Sequence, residues 1–346
     1  MKTRVKIEKV IRETSDAFTL VLENAPSIGS YLPGQFLNFF LDINGEEVVR
    51  QYSFSSSALI GEPPAVTIKK VAGGLASNFL GEHLRAGDEV SVSTPSGRFT
   101  TTYGERRRVL MVAGGSGITP LYSMMKSILA REPESQVTLL YANRSSESII
   151  FKAGLDYLEQ KYHGRLEVKH FLSAEDAGPE KQENTVFRKL NRFDFQKYVD
   201  AYWKESPEVF ICGPDSLMDL SVVSLSDLGL SDDRIRVEAF TGTGGVENTN
   251  DASEACTQVE IRDFNGGPVA FRADRNQPVL KSALDAGIRL PHSCKESMCG
   301  ACKVKLISGQ LHMKTNYALP DDELEQGYVL LCSGFPQSEK LALQYG

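Results

Sequence analysis

VLMVAGGSGITPLYSMM, residues 109–125, reads as three elements in a row. Five apolar residues suit a buried strand, the glycines of GGSG suit a tight loop, and Pro120 suits the first turn of a helix. Through PLYSMMKSILARE, Leu121, Met124, Ile128 and Leu129 recur on one helical face. Amides at such a helix start attract a pyrophosphate, and glycines let it approach. A tight strand-to-helix turn also uses glycines for packing alone, so the loop by itself leaves both readings open. Further apolar runs follow at VTLLYA (137–142), LEVKHFL (166–172) and EVFICG (208–213), separated by helical patterns. Alternating strand and helix predicts a parallel α/β sheet over residues 105–240. Ligands gather past the carboxyl ends of such strands, so GGSGITP and ICGPDSLM are expected to share one crevice.

Upstream the rhythm differs. VKIEKVI, FTLVLE, FLNFFLDI, VRQYSFS, AVTIKKV and EVSVSTP are short β-type runs broken by turn residues. They predict a small antiparallel β-barrel over residues 1–104. In VRQYSFSSS, strand alternation puts Arg50 and Tyr52 on one face and Ser53 on the other. An arginine, a flat aromatic and a hydroxyl suit a phosphate-bearing ring cofactor, although many solvated strands alternate Arg and Tyr. KKVAGGLASNFL repeats the glycine-then-helix pattern, with Ser77 as a candidate cap.

Downstream, the small and polar residues of TGTGGVENTNDASEA predict a linker, bounded at 241–256. Residues 257–346 form a third module: a hairpin about Asn265-Gly266, a helix in QPVLKSALDAG, then CKESMCGAC at 294–302. The spacing C-x4-C-x2-C, with Cys332 far behind, is that of a plant-type [2Fe–2S] centre held by four thiolates. Cys294, Cys299, Cys302 and Cys332 are the candidate ligands, and Gly300 and Ala301 are small enough for amides to approach the sulfurs. Zinc is the alternative, but zinc knuckles pair two short hooks. Cys212 and Cys256 fall outside the pattern.

The 346 residues carry a net charge of −7, with no base-reading motif or aromatic-basic stripe, which argues against nucleic acid. No run of about eighteen apolar residues predicts a membrane span, and MKTRVKIEKVIRE lacks a secretory core. A cytoplasmic location is therefore expected, with thiols reduced and cysteines available to metal. Arg106, Arg107 and Arg108 read as solvent-facing, and the five histidines show no metal spacing.

In order, RQYS, KKVAGGLASNFL, GGSGITP, ICGPDSLM, VEAF and CKESMCGAC resemble the ferredoxin–NADP reductase superfamily. The likeness is to members with a plant-type ferredoxin fused at the C-terminus, the reductases of oxygenases such as phenylacetyl-CoA epoxidase and ketosteroid 9α-hydroxylase. The resemblance implies a β-grasp α+β ferredoxin module behind the two nucleotide modules. It implies that Arg50 holds the flavin phosphate, Tyr52 packs on the ring and Ser53 bonds near the reactive flavin nitrogen. Gly74 and Ser77 would sit at the FAD pyrophosphate, and Gln51, Lys69 and Gly73 are further candidate cofactor-binding residues. Gly114, Gly115, Ser116, Gly117, Thr119 and Pro120 would hold the pyridine nucleotide, with Cys212, Gly213 and Pro214 beside the nicotinamide. Glu238 matches the family's acidic residue and Phe240 its ring-covering aromatic, although in the simplest members the chain ends there.

The expected path runs from NAD(P)H to FAD, to [2Fe–2S], to an external acceptor, expected to be a di-iron or Rieske oxygenase component. Plant-type clusters have potentials near about −400 mV, low enough for such a partner. Arg144 with Ser145 and Ser146 after VTLLYA favours the 2′-phosphate of NADPH, where an acid would favour NADH. One alternative keeps the fold with FMN and NADH, in the manner of phthalate dioxygenase reductases. Another is a redox-sensing iron–sulfur interaction protein without turnover.

Overall fold

The computed structural model describes residues 2–175, 184–202, 207–240, 256–264, 267–288, 290–292, 295, 297 and 300–345. Residues 241–255 of the linker expected at 241–256, the turn at Asn265-Gly266, and Cys294 and Cys299 lie outside the described residues. Contacts divide the chain into two units, Met1–Glu47 with Gln51–Phe240, and Val48–Arg50 with Thr241–Gly346.

Residues 3–92 contain six strands: β1 (Thr3–Arg12), β2 (Ala17–Leu22), β3 (Phe36–Ile43), β4 (Glu46–Ser53), β5 (Ala65–Lys69) and β6 (Glu89–Val92). Their order is β4-β3-β6-β1-β2-β5, and an antiparallel bridge from Phe54 to Val66 joins the two edges. Joining the edges removes unpaired backbone that would otherwise face water or a neighbour. Alternation decides which side chains go in: Phe36, Leu37, Phe39, Leu41 and Ile43 of β3 are all buried, whereas Asp42 is exposed. Helix α1 (Leu75–His83) lies between β5 and β6 in sequence.

Beyond Arg108 the sheet is parallel: β7 (Arg108–Gly114), β8 (Gln136–Asn143), β9 (Leu166–Leu172), β10 (Thr185–Val186), β11 (Glu208–Gly213) and β12 (Ile235–Ala239), ordered β10-β9-β8-β7-β11-β12. Helices α2 (Ile118–Arg131), α3 (Lys152–Lys161), α4 (Arg192–Tyr202) and α5 (Asp215–Asp227) connect the strands. Strands β7 and β11 have apolar side chains buried on both faces: Phe210 and Cys212 go into one cluster, Val209 and Ile211 into the other. That is why they read as continuous apolar runs rather than alternating ones.

α2 is buried on more than its apolar face. Ser123 and Ser127 are fully buried as well, and both serve the barrel: Ser123 donates to the Ser56 carbonyl, and Ser127 to Ser57 Oγ at 2.7 Å. Lys126 pairs with Glu62 beside them. These bonds fix the barrel against the helix that begins at the glycine loop.

Arg107 corrects the sequence reading of 106–108 as solvent-facing. Arg106 is exposed, but the Arg107 side chain is 8% exposed and pairs with Glu132 at 2.9 Å and Glu208 at 2.5 Å. It also donates to Thr101 Oγ1 at 2.8 Å. A buried guanidinium is tolerated because carboxylates and a hydroxyl satisfy its donors.

The second unit is an α+β module. Strands β13 (Cys256–Phe264), β14 (Gly267–Asp274), β15 (Lys303–Ser308), β17 (Tyr328–Leu330) and β19 (Lys340–Gln344) form one sheet, ordered β14-β13-β19-β15-β17; β13 and β19 run parallel. A small sheet pairs β16 (Leu311–Met313) with β18 (Gly334–Pro336). Helix α6 (Val279–Asp285) buries Val279, Leu280 and Ala283 in the core, and α7 (Asp321–Glu325) is short. Cys256, assigned to the linker, instead opens β13, paired with Asp274. Among the described residues no helix is long and apolar enough to cross a membrane.

Candidate nucleotide crevice and cluster loop

At the carboxyl end of β7 the chain winds through a 3-10 turn, Gly115–Gly117, straight into α2. Two glycines here are required by close approach. A Cβ on Gly117 would lie 2.1 Å from the Cys212 carbonyl oxygen, and one on Gly114 would lie 2.6 Å from Pro214 Cδ. The turns after β7 and β11 therefore interlock backbone to backbone, which brings two separately expected loops into one crevice. Gly115 has φ +52, and a Cβ there would meet Lys69 Nζ at 3.9 Å. Lys69 ends β5 of the barrel and pairs with Asp16 at 3.5 Å. A cation beside a positive-φ glycine at a helix start is a donor set that fits a pyrophosphate.

Ser116 is half-buried and its carbonyl accepts from Thr119 Oγ1 at 2.8 Å; the Gly115 carbonyl accepts from the Tyr141 hydroxyl at 3.0 Å. Thr119 and Pro120 are both buried in the first turn of α2 and shape the loop from within. Nothing in the sequence singles out Tyr141, because a tyrosine in an apolar strand carries no signal of what its hydroxyl will meet.

Parallel pairing sets Cys212 opposite Glu238 on β12, and Gly213 opposite Ala239. Both side chains are buried, Cys212 fully and Glu238 at 7% exposure. Burial pushes the Glu238 carboxyl from 4.5 up to about 8, and its Oε2 is buried with no hydrogen-bond partner. Burial, reinforced by the Glu238 charge, also raises the Cys212 thiol, so at neutral pH both groups keep their protons. Phe240, just beyond β12, is half-buried and packs on the same cluster as Cys212. An orphaned, proton-bearing carboxyl leaves a donor for a ring heteroatom, which fits a flavin or nicotinamide.

That carboxyl has a consequence for stability. Because its folded pKa is raised, the folded state holds the extra proton between about pH 4.5 and 8. Its contribution is intact below that window and is lost as pH rises through it, by up to about 1.4 kcal/mol per unit. Glu238→Gln is expected to flatten this slope, so that the variant gains on the parent from pH 5 to pH 9. Thermal melts across that range measure it; parallel curves would refute the assignment.

On the barrel, Ser53 is 4% exposed at the end of β4, Arg50 is exposed, and Tyr52 is half-buried with its ring edge-on to Phe39 at 5.3 Å. Gln51 Nε2 is buried without a partner. α1 begins at Leu75 with Gly74 as its cap residue, so Ser77 is not the cap. The Ser77 hydroxyl instead accepts the Val71 N–H at 3.1 Å. That bond folds the loop through Gly73, which has φ +71 and open space where a Cβ would stand. The free amides of α1 are left for an anion, as an FAD pyrophosphate requires.

Arg144 is exposed beyond β8, and its carbonyl accepts the Ala174 N–H at 2.8 Å. Ser146 directs both its N–H (2.6 Å) and its hydroxyl (2.9 Å) at Glu175 Oε1. Ser145 and Ser148 close a capping box over the same turn. Asn143 is 8% exposed, with neither amide atom partnered.

In the second unit Cys302 and Cys332 are buried at 3% and 7% exposure. The Ser297 N–H donates to Cys332 Sγ at 3.0 Å. Lys295, Ser297 and Gly300 all have φ between +63 and +67, so this loop turns repeatedly through the left-handed region. Buried thiols served by an inward amide fit an iron–sulfur centre, whose charge such donors stabilise. His292 bonds the Leu290 carbonyl at 2.7 Å.

Three family models match in sequence: an oxidoreductase FAD-binding domain over residues 2–101, an oxidoreductase NAD-binding domain over 111–222, and a 2Fe-2S iron-sulfur cluster binding domain over 263–337. The chain is 34% identical to one of the subunits of 1,2-phenylacetyl-CoA epoxidase from Escherichia coli, covering 98% of this chain and 96% of that protein. The chain belongs to the ferredoxin reductase superfamily with a C-terminal 2Fe-2S domain. This reductase is also 34% identical to the ferredoxin reductase component of 3-ketosteroid-9-alpha-monooxygenase from Mycobacterium tuberculosis, covering 99% of this chain and 95% of that protein. Its fold matches phthalate dioxygenase reductase, with a TM-score of 0.57 and 23% identity over 99% of this chain and 98% of that one. It also matches an intact type IV self-sufficient cytochrome P450 monooxygenase, with a TM-score of 0.72 and 22% identity over 99% of this chain and 41% of that one. The reductase is an NAD(P)H oxidoreductase that passes electrons through FAD to a [2Fe–2S] centre.

Proposed function

We propose that the reductase supplies electrons to an oxygenase component containing a di-iron or Rieske centre. The relatives named above are components of an epoxidase and a monooxygenase, and the likeness to them extends over nearly the whole chain. The observation that carries the reading is the interlocked pair of turns after β7 and β11, with Lys69 of the barrel beside Gly115. A glycine loop with a cation beside it, next to a strand-end thiol that pairs across the sheet with a buried carboxyl, supports a nucleotide site there.

When bound, FAD and the cluster supply the conversion of a two-electron donor's reducing equivalents into single electrons. The chain's own residues do the rest. Gly114 to Gly117 and Lys69 bind and orient the nucleotide phosphates. Arg50, Gln51, Tyr52, Gly73, Gly74 and the first turn of α1 bind the flavin, and Phe240 covers it. Ser53 and Glu238 hold protons against polar ring atoms, with Glu238 a donor up to about pH 8. Cys212 supplies an uncharged wall. Cys294, Cys299, Cys302 and Cys332 hold the irons. Mixing the reductase and NADPH with a purified di-iron or Rieske oxygenase should bleach the oxygenase's visible absorbance; failure with both classes overturns the partner.

NADPH is the preferred donor on this reading, because an exposed arginine just beyond β8, Arg144, suits a 2′-phosphate. A second reading, NADH, is favoured by Glu175, whose carboxylate already takes both Ser146 donors. Arg144→Ala is expected to lower kcat/KM for NADPH about tenfold, the scale of one exposed charge-assisted bond, and to spare NADH. Glu175→Ala should raise the NADPH value. An unchanged NADPH-to-NADH ratio in Arg144→Ala ends the NADPH assignment.

A further inference from the structure

Ser297 has an unusual placement for a serine. It is 1% exposed, its φ is +63, and a glycine would adopt that backbone without strain. The hydroxyl thus sits where side chains are disfavoured, between two partners. Its Oγ lies 2.8 Å from Thr315 Oγ1 and 4.0 Å from Cys332 Sγ, while its N–H already donates to the same sulfur at 3.0 Å. The surrounding bonds hold the pair in register: the Tyr317 N–H donates to the Ser297 carbonyl at 3.1 Å, and Ser333 Oγ donates to the Thr315 carbonyl at 2.8 Å.

We propose that Ser297 and Thr315 form a reversible hydroxyl relay that raises the reduction potential of the cluster by donating to Cys332 Sγ. This rests on Cys332 being a cluster ligand. Each hydroxyl is one donor and an acceptor, and its hydrogen rotates to suit its neighbours. While Cys332 is a thiol, its S–H points to Ser297 Oγ, and Ser297 donates onward to Thr315. When Cys332 binds iron it gives its proton to solvent, and the sulfur can only accept. Thr315 then donates to Ser297, and Ser297 donates to the sulfur. A donor aimed at a ligand sulfur stabilises the more negative, reduced cluster, and so raises its potential. Thr315 is exposed, so water can replace it as the donor to Ser297. Ser297 is sealed, and nothing can replace its hydroxyl.

Ser297→Gly removes the hydroxyl while relieving the backbone, so a loss of fold cannot mimic the effect. The expected result, read by anaerobic redox titration of the cluster's visible and EPR signals in the full chain, is a lower potential. The equilibrium should shift about tenfold toward the oxidised form, ~59 mV for one electron. Ser297→Ala should shift it in the same direction. Thr315→Val should shift it less, and Thr315→Ser should restore the parent value. An unchanged potential in both Ser297 variants, or a larger shift in Thr315→Val than in Ser297→Gly, overturns the relay. A parent chain that assembles no cluster, or a Cys332→Ala variant that keeps an unaltered one, would instead sink the ligand assignment.

Discussion

Cys332→Ala is expected to abolish cytochrome c and oxygenase reduction while NAD(P)H-driven reduction of ferricyanide persists. The two activities separate because they leave the chain at different points. Ferricyanide takes electrons from the flavin, whereas a protein acceptor takes them from iron. Cys332 is buried on β17's connection to β18, remote in sequence from the barrel and the parallel sheet. It belongs to a different unit from Gly117 and Glu238. Even an outer partner of a metal ligand is worth about 10–100-fold, so losing a ligand should exceed that. Stopped-flow assays with the two acceptors, beside flavin and iron content, measure the split. Equal loss of both activities with flavin retained would rule out a linear relay. Cys299→Ser should behave in the same way.

Gly117→Ala should cripple the nucleotide half-reaction. The added methyl would stand 2.1 Å from the Cys212 carbonyl oxygen and 2.7 Å from the Gly213 nitrogen, both backbone atoms that no rotamer change can clear. Either α2 retreats from β11, or the turn after β11 moves. In both cases the glycine loop and the carboxyl end of β11 lose their mutual register. Misplacement by about 1 Å can cost about a hundredfold in rate, and overpacking adds about 1–3 kcal/mol of instability. The expected readout is a fall in kcat/KM for NAD(P)H of that order, with flavin content unchanged, because the barrel's own loop at Gly73 and Gly74 is separate. Parent-like kcat/KM would show that the two turns do not cooperate.

These expectations differ in how far they could be read without coordinates. Six short β runs and four apolar strands alternating with helices depend on local periodicity, and each of these elements formed where its pattern lies. The glycine loop was visible too, as a turn before a helix. Local pattern failed where a side chain's fate depends on a distant partner. Arg107 reads as one of three surface arginines, yet Glu132 and Glu208 reach it from elsewhere in the chain and make its burial tolerable. Ser123 and Ser127 interrupt an apolar helix face, and only the barrel's Ser56 and Ser57 explain them. Ser77 looked like a cap because it follows two glycines, but the helix begins earlier and its hydroxyl closes the preceding loop.

The sequence by itself determined the order of modules, their strand and helix types and the chemistry of the cysteines, since spacing along a chain sets period and ligand reach. Tertiary structure alone decided that Glu238 lies against Cys212 with its proton held, that Lys69 meets Gly115, and that the Ser297 hydroxyl is sealed beside Cys332. Those are properties of burial and approach between residues remote in sequence, and desolvation has no signature in a string of letters.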